Sequence, residues 1–116
     1  MSDVAEFAPV IEKLLDRTRE GKIEWQEQGF GFGTHVKSYE FRVFKTEDDG
    51  DITITARMLD DRGSEIFDVR LTDDPQTLAK HRQLVTVLKE LFELARRNAL
   101  NVEQKVEEAS HLLDEL

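Results

Sequence analysis

The sequence predicts an α+β fold: an N-terminal helix, a four-stranded antiparallel meander and a long C-terminal helix, arranged in two layers with the helices on one sheet face. Three observations predict it. Apolar residues recur every three or four positions near the N-terminus, alternate with period two between residues 22 and 71, and return in strict heptads from residue 78 to the end. The chain has 116 residues, of which 39% are apolar, and no cysteine. One core is what such a length can bury, and the reading is a single domain over 1–116, with a core of about 3–98 and a helical extension of about 99–116.

The first helix is read over residues 3–20, where Phe7, Val10, Ile11, Leu14, Leu15 and Thr18 line one face, and Gly21 stops it. Lys22 to Gln26 alternates polar and apolar, a short strand with Ile23 and Trp25 to one side. Residues Gln28 to Thr34 read as a loop. Val36 to Lys45 then places Tyr39, Phe41 and Val43 on one face and Glu40, Arg42 and Phe44 on the other. Asp49-Gly50 supplies a turn, since both residues tolerate positive φ. The third strand, Ile52 to Leu59, points Ile52, Ile54, Ala56 and Met58 inward; the fourth, Glu65 to Leu71, does the same with Phe67, Val69 and Leu71.

Asp74-Pro75 opens the last helix, with a carboxylate at the cap and a proline where its missing N–H costs nothing. Leu78, Val85, Phe92, Ala99, Val106 and Leu113 then occupy one heptad position, and His81, Leu88, Ala95, Val102, Ala109 and Leu116 the other. In the first half Leu84, Leu91 and Leu94 widen the stripe, as a helix lying on a sheet requires; in the second half it narrows to a seam. Length forces a choice. Continuous helix from Gln76 to Leu116 would run about 60 Å, against a span of about 35 Å for a compact chain of this size. Either the helix breaks near Asn98 to Asn101 and folds back, or its C-terminal half projects and buries Ala99, Val102, Val106, Ala109, Leu113 and Leu116 against another chain.

The composition excludes several chemistries. Without cysteine there are no disulfides, thiolate metal sites or thiol nucleophiles, and a net charge of -9 argues against direct nucleic-acid binding. No apolar run approaches the ~20 residues of a membrane span, and Met1-Ser2-Asp3 begins no signal peptide, so a cytoplasmic protein is expected. Gly29-Phe30-Gly31-Phe32-Gly33 is not a nucleotide fingerprint, because it leads into a strand rather than a helix. It reads as a flexible connection in which Phe30 and Phe32 are a second, weaker contact candidate. Glu47-Asp48-Asp49-Gly50-Asp51 is not an EF-hand: with Gly50 sixth, Lys45 and Ala56 fall at ligand positions. The same turn shares a sheet end with Asp73 and Asp74, forming an acidic rim. Arg42, Arg57 and Arg70 decorate the outer sheet face as a third candidate surface, where cross-strand pairing with Glu40 and Asp68 is the structural explanation. The three histidines form no ligand pair, and no serine stands in a nucleophile elbow. No catalytic residue, cofactor or metal is implied.

The segments Leu14-Leu15-Asp16-Arg17-Thr18-Arg19-Glu20-Gly21-Lys22-Ile23-Glu24-Trp25 and Leu91-Phe92-Glu93-Leu94-Ala95-Arg96-Arg97-Asn98-Ala99-Leu100, with the terminal Leu112-Leu113-Asp114-Glu115-Leu116, resemble a set of small bacterial proteins of unassigned function. The resemblance implies a bacterial cytoplasmic α+β module and brings no activity, cofactor or catalytic residue with it. In its order of elements the chain has a more distant likeness to nucleoid-associated YbaB-type dimers.

The expectation is a non-enzymatic interaction module, a homodimer or the binder of a protein partner through the C-terminal seam. The alternatives are an acidic regulator, such as an immunity protein, secretion chaperone or nucleic-acid mimic, that masks a basic partner, and an anion or small-molecule site on the outer sheet face.

Overall fold

The structure, a computed structural model, describes residues 4–116. The N-terminal Met1-Ser2-Asp3 and the predicted start of the first helix at residue 3 lie outside the described residues. Helix α1 (Val4–Arg19) buries Ile11, Leu14 and Leu15, and stacks Phe7 on Phe67 with ring centroids 4.8 Å apart. Its end is a Schellman turn. Gly21 adopts φ 74, so that the Lys22 and Gly21 amides reach back to the carbonyls of Arg17 and Thr18 at 3.0 and 3.1 Å.

The sheet has five strands, one more than the sequence reading gives: β1 (Gln26–Gln28), β2 (Gly31–Val36), β3 (Tyr39–Asp48), β4 (Asp51–Leu59) and β5 (Glu65–Thr72), antiparallel in the order β1-β2-β3-β4-β5. The differences lie at the N-terminal edge. Ile23 and Trp25 are buried as the alternation requires, yet Lys22 to Trp25 is not a strand. The Trp25 backbone N–H donates to the side-chain oxygen of Asn98 at 2.6 Å, and its indole N–H donates to the Thr18 hydroxyl at 3.1 Å. The chain begins pairing only one residue later.

The glycine-rich stretch read as a loop is mostly strand β2. Gly29, at φ 60, makes the two-residue turn from β1, and Gly31 sits where an added Cβ would lie 2.5 Å from the Val43 carbonyl oxygen. Its glycine therefore serves close strand approach. Lys37, at φ 58, turns β2 into β3 without the usual sequence signal, which moves the start of β3 from Val36 to Tyr39. The Asp49-Gly50 turn forms as expected, with φ 51 and 86, and joins β3 to β4.

Phe41 and Val43 on β3, Ile54 and Ala56 on β4, and Phe67, Val69 and Leu71 on β5 form the covered face. Helix α2 (Pro75–Ala99) runs over that face beside α1 and buries Leu84, Val85, Leu88, Leu91, Phe92 and Ala95. The Asp74 carboxylate caps it by accepting the Thr77 N–H at 2.7 Å, as the Asp-Pro pair predicts. A kink at His81 (φ -135, ψ 34) offsets its first turns from the rest.

The two alternatives for the final helix combine. It breaks at Leu100 and Asn101, and the second piece, α3 (Val102–Asp114), leads away instead of folding back. None of its residues is buried. The molecule consequently measures 57 × 36 × 24 Å, with a radius of gyration of 15.8 Å against roughly 13 Å for a compact chain of this length.

Core and projection should respond differently to truncation. Leu88→Ala removes a fully buried side chain and is expected to lower unfolding free energy by about 3 kcal/mol in urea denaturation. The same change at Leu113 should cost less than about 0.5 kcal/mol.

Candidate interaction surface

The break that frees α3 is local in cause. The Leu100 amide caps α2 by donating to the Arg96 carbonyl at 3.0 Å, and Asn101 then takes a left-handed conformation with φ 52 and ψ 46. Asparagine adopts that region more readily than most residues, and it redirects the chain before the Lys105 amide restarts the ladder on the Asn101 carbonyl at 3.0 Å. A loose ion pair, Arg97 to Glu103 at 3.9 Å, spans the corner.

Along α3, Val102, Val106, Ala109 and Leu113 follow i, i+4, i+7 and i+11 and fall within about 60° of one another at ~100° per residue. Leu112 widens this face, and Leu116 follows beyond the helix end. Val106, Leu112 and Leu113 are each more than 60% exposed and Leu116 is 99% exposed, while Val102, next to the corner, is half-buried. Ala99 stands apart from the others. It is the last residue of α2 and packs against the core, on the near side of the break.

The break also divides the charge, which sequence counting over the whole helix hides. Helix α2 carries Lys80, Arg82, Lys89, Arg96 and Arg97 against Glu90 and Glu93, so 5 − 2 gives +3. Helix α3 carries Lys105 against Glu103, Glu107, Glu108 and Asp114, so 1 − 4 gives −3.

The two phenylalanines of the glycine-rich segment are separated by the turn that precedes β2. Phe32 faces inward and meets Phe92 at 5.5 Å between centroids, so it belongs to the core and not to an exposed loop. Phe30 is 83% exposed at the tip of the β1–β2 hairpin, edge-on to Phe44 at 6.1 Å. Phe30 lies in the two-residue turn set by Gly29 at φ 60, outside β2, whereas Phe32 is a strand residue held on the covered face.

On the outer face Arg42 and Arg57 stand directly opposite each other in register. Each turns to a carboxylate: Arg42 to Glu40, and Arg57 to Asp68 at 2.9 Å, with the Arg57 guanidinium also 5.3 Å over the Phe44 ring. Arg70 reaches Asp68 at 3.0 Å. Burial pushes the Asp68 carboxyl upward, but the hydrogen bonds from Arg70 and Arg57 outweigh it and hold the group below its ordinary value of 3.8. The Arg42 hydrogen bond likewise keeps Glu40 low against the opposing effect of burial. All three arginines are thus engaged within the sheet.

Two features escape sequence reasoning. A cleft of about 710 Å³ opens beside β2, lined by both signs of charge from Arg17, Lys22, Glu24, Glu27 and His35. At its edge the segment before β1 is tied both to Asn98, 73 positions away, through the Trp25 amide and to β2 through the Thr34 hydroxyl, which donates to the Glu24 carbonyl at 2.6 Å. At the acidic rim Asp73 pairs with Lys89 and Asp74 caps α2, which leaves the β3–β4 turn carboxylates facing water. Among the described residues no group of three or more His, Asp or Glu is placed to hold a metal ion, and no helix is long and apolar enough to cross a membrane.

No family model, curated protein or solved structure matches the chain. The surface itself is what bears on function.

The outer-face network predicts a pH signature. A carboxyl group held below its ordinary pKa contributes stability that is full above that value and is lost as pH falls through its folded pKa. Asp68→Asn should therefore lower stability by about 1 kcal/mol at neutral pH. The difference from the parent chain should shrink as the pH of urea denaturation is taken below 3.8.

Proposed function

We propose that the chain is a protein-protein interaction module, acting by contact rather than catalysis, whose contact surface is the apolar face of α3. One observation carries this reading: the heptad stripe that α2 buries on the sheet continues into α3, where Val106 and Leu113 remain 62% and 68% exposed on a helix with no sheet beneath it. An isolated helix of this length is marginal in water, so its apolar stripe gains most when another surface covers it. The helix-in-groove and helix-pair modes of recognition both use such i, i+3, i+4, i+7 anchors.

A second reading, an acidic regulator of a basic partner, rests on the exposed carboxylates of Glu47, Asp48, Asp49 and Asp51, none of which takes part in an ion pair among the described residues. Salt separates the two, because charge-driven contact weakens with ionic strength while apolar contact does not.

The double variant Val106→Asp with Leu113→Asp tests the leading reading. Retention of a partner from native cell extract, or of a second copy, should fall by at least tenfold while the thermal melt stays within a few degrees of the parent. Association that survives the double variant but disappears in high salt would instead favour the acidic rim.

A further inference from the structure

We infer that the occupant of the α3 face is α3 of a second copy, packed antiparallel, an inference that rests on the reading of α3 as the contact surface. Side-chain size is the first argument. Antiparallel pairing about a twofold axis between Val106 and Ala109 sets Leu113 against Val102 and Ala109 against Val106, so a large residue meets a smaller one in every layer. Parallel pairing sets Leu113 against Leu113 and Ala109 against Ala109, one layer crowded and the next hollow.

Charge gives the second argument. An acidic helix pairs with its own copy only if its carboxylates stay out of the contact, and here Glu107, Glu108 and Asp114 lie on the side away from the stripe. Only Glu103 and Lys105 flank it. In the antiparallel arrangement Glu103 faces Ser110 of the second copy and Lys105 lays its aliphatic stem along Leu112, so no like charges meet.

Area sets the strength. At about 100 Å² for each large apolar side chain, the stripe offers on the order of 500 Å² per copy, and a symmetric contact would bury about 1,000 Å². That is the lower end for a specific interface, so the dimer should be weak and concentration-dependent rather than permanent.

The chain has no cysteine, so single substitutions report geometry without interference. Because no α3 residue is fully buried and cysteine replaces the half-buried Val102 with little loss of volume, Val102→Cys and Leu113→Cys should both fold, which an unchanged thermal melt checks. Sedimentation of the parent chain from about 1 to 500 µM should show a monomer converting to a dimer, a range set by the small contact. Under mild oxidation, a mixture of the two variants should form several-fold more disulfide dimer than either variant alone, since facing layers bring the Cβ atoms to about 4 Å. Dominant self-coupling of Leu113→Cys would overturn the antiparallel arrangement. A strict monomer throughout the range would overturn the second copy as occupant. If a different protein were then lost from the Val106→Asp, Leu113→Asp bait, the interaction role of α3 would stand without it.

Discussion

The hydrogen bond from the Trp25 backbone N–H to the Asn98 side chain joins residues 73 positions apart in the sequence. Trp25 is almost fully buried, and its indole N–H is satisfied by Thr18 near the end of α1, so one residue ties the first helix, the edge of the sheet and the last turn of α2. Thr18 itself donates to the Leu14 carbonyl at 2.8 Å, which fixes its hydroxyl as an acceptor for the indole. A buried amide without a partner costs about 1–3 kcal/mol, so the contact is strongly selected once Trp25 is inside.

Two consequences follow from that tie. On the sheet side the Trp25 amide is directed to Asn98 instead of into the ladder, and the three-residue edge strand begins at the next residue, beside the cleft along β2. On the helix side it anchors the end of α2 three residues before Asn101 turns the chain. The apolar stripe is divided at that corner. Upstream it meets β-strands and Phe32; downstream, past the half-buried Val102 at the corner, no residue of it is buried, and the positive and negative halves of the final helical segment separate with it. The heptad positions run on across the corner, so the face of α3 is exposed because the body ends there.

Much of this is legible in the sequence because it is written in local periodicity. The alternation of Phe41 and Val43, of Ile54 and Ala56, and of Phe67, Val69 and Leu71 names the covered sheet face, and the Asp49-Gly50 and Asp74-Pro75 pairs mark a turn and a cap through their backbone chemistry. The segment from Gln26 to Val36 is not legible in this way. Gly31 is a strand residue because the neighbouring strand leaves no space for a side chain, and Phe32 is a core residue because of the register that follows; both are tertiary facts. The strand over Lys22 to Gln26 fails for a similar reason, since its pattern is right but the Trp25 amide is taken by an asparagine 73 positions away. At the final helix the sequence poses break and projection as alternatives. A single left-handed residue redirects the chain without returning it to the body, and periodicity carries no information about that direction.

Amide hydrogen exchange as a function of protein concentration tests the central claim most directly, that α3 stands free of the fold and is covered by association. Buried α2 positions such as Leu88 and Leu91 should exchange only through global unfolding at every concentration, whereas α3 amides should exchange rapidly in dilute solution and become protected as concentration rises. Protection of α3 equal to that of α2 in dilute solution would contradict the account, because it would place the last helix within the cooperative core.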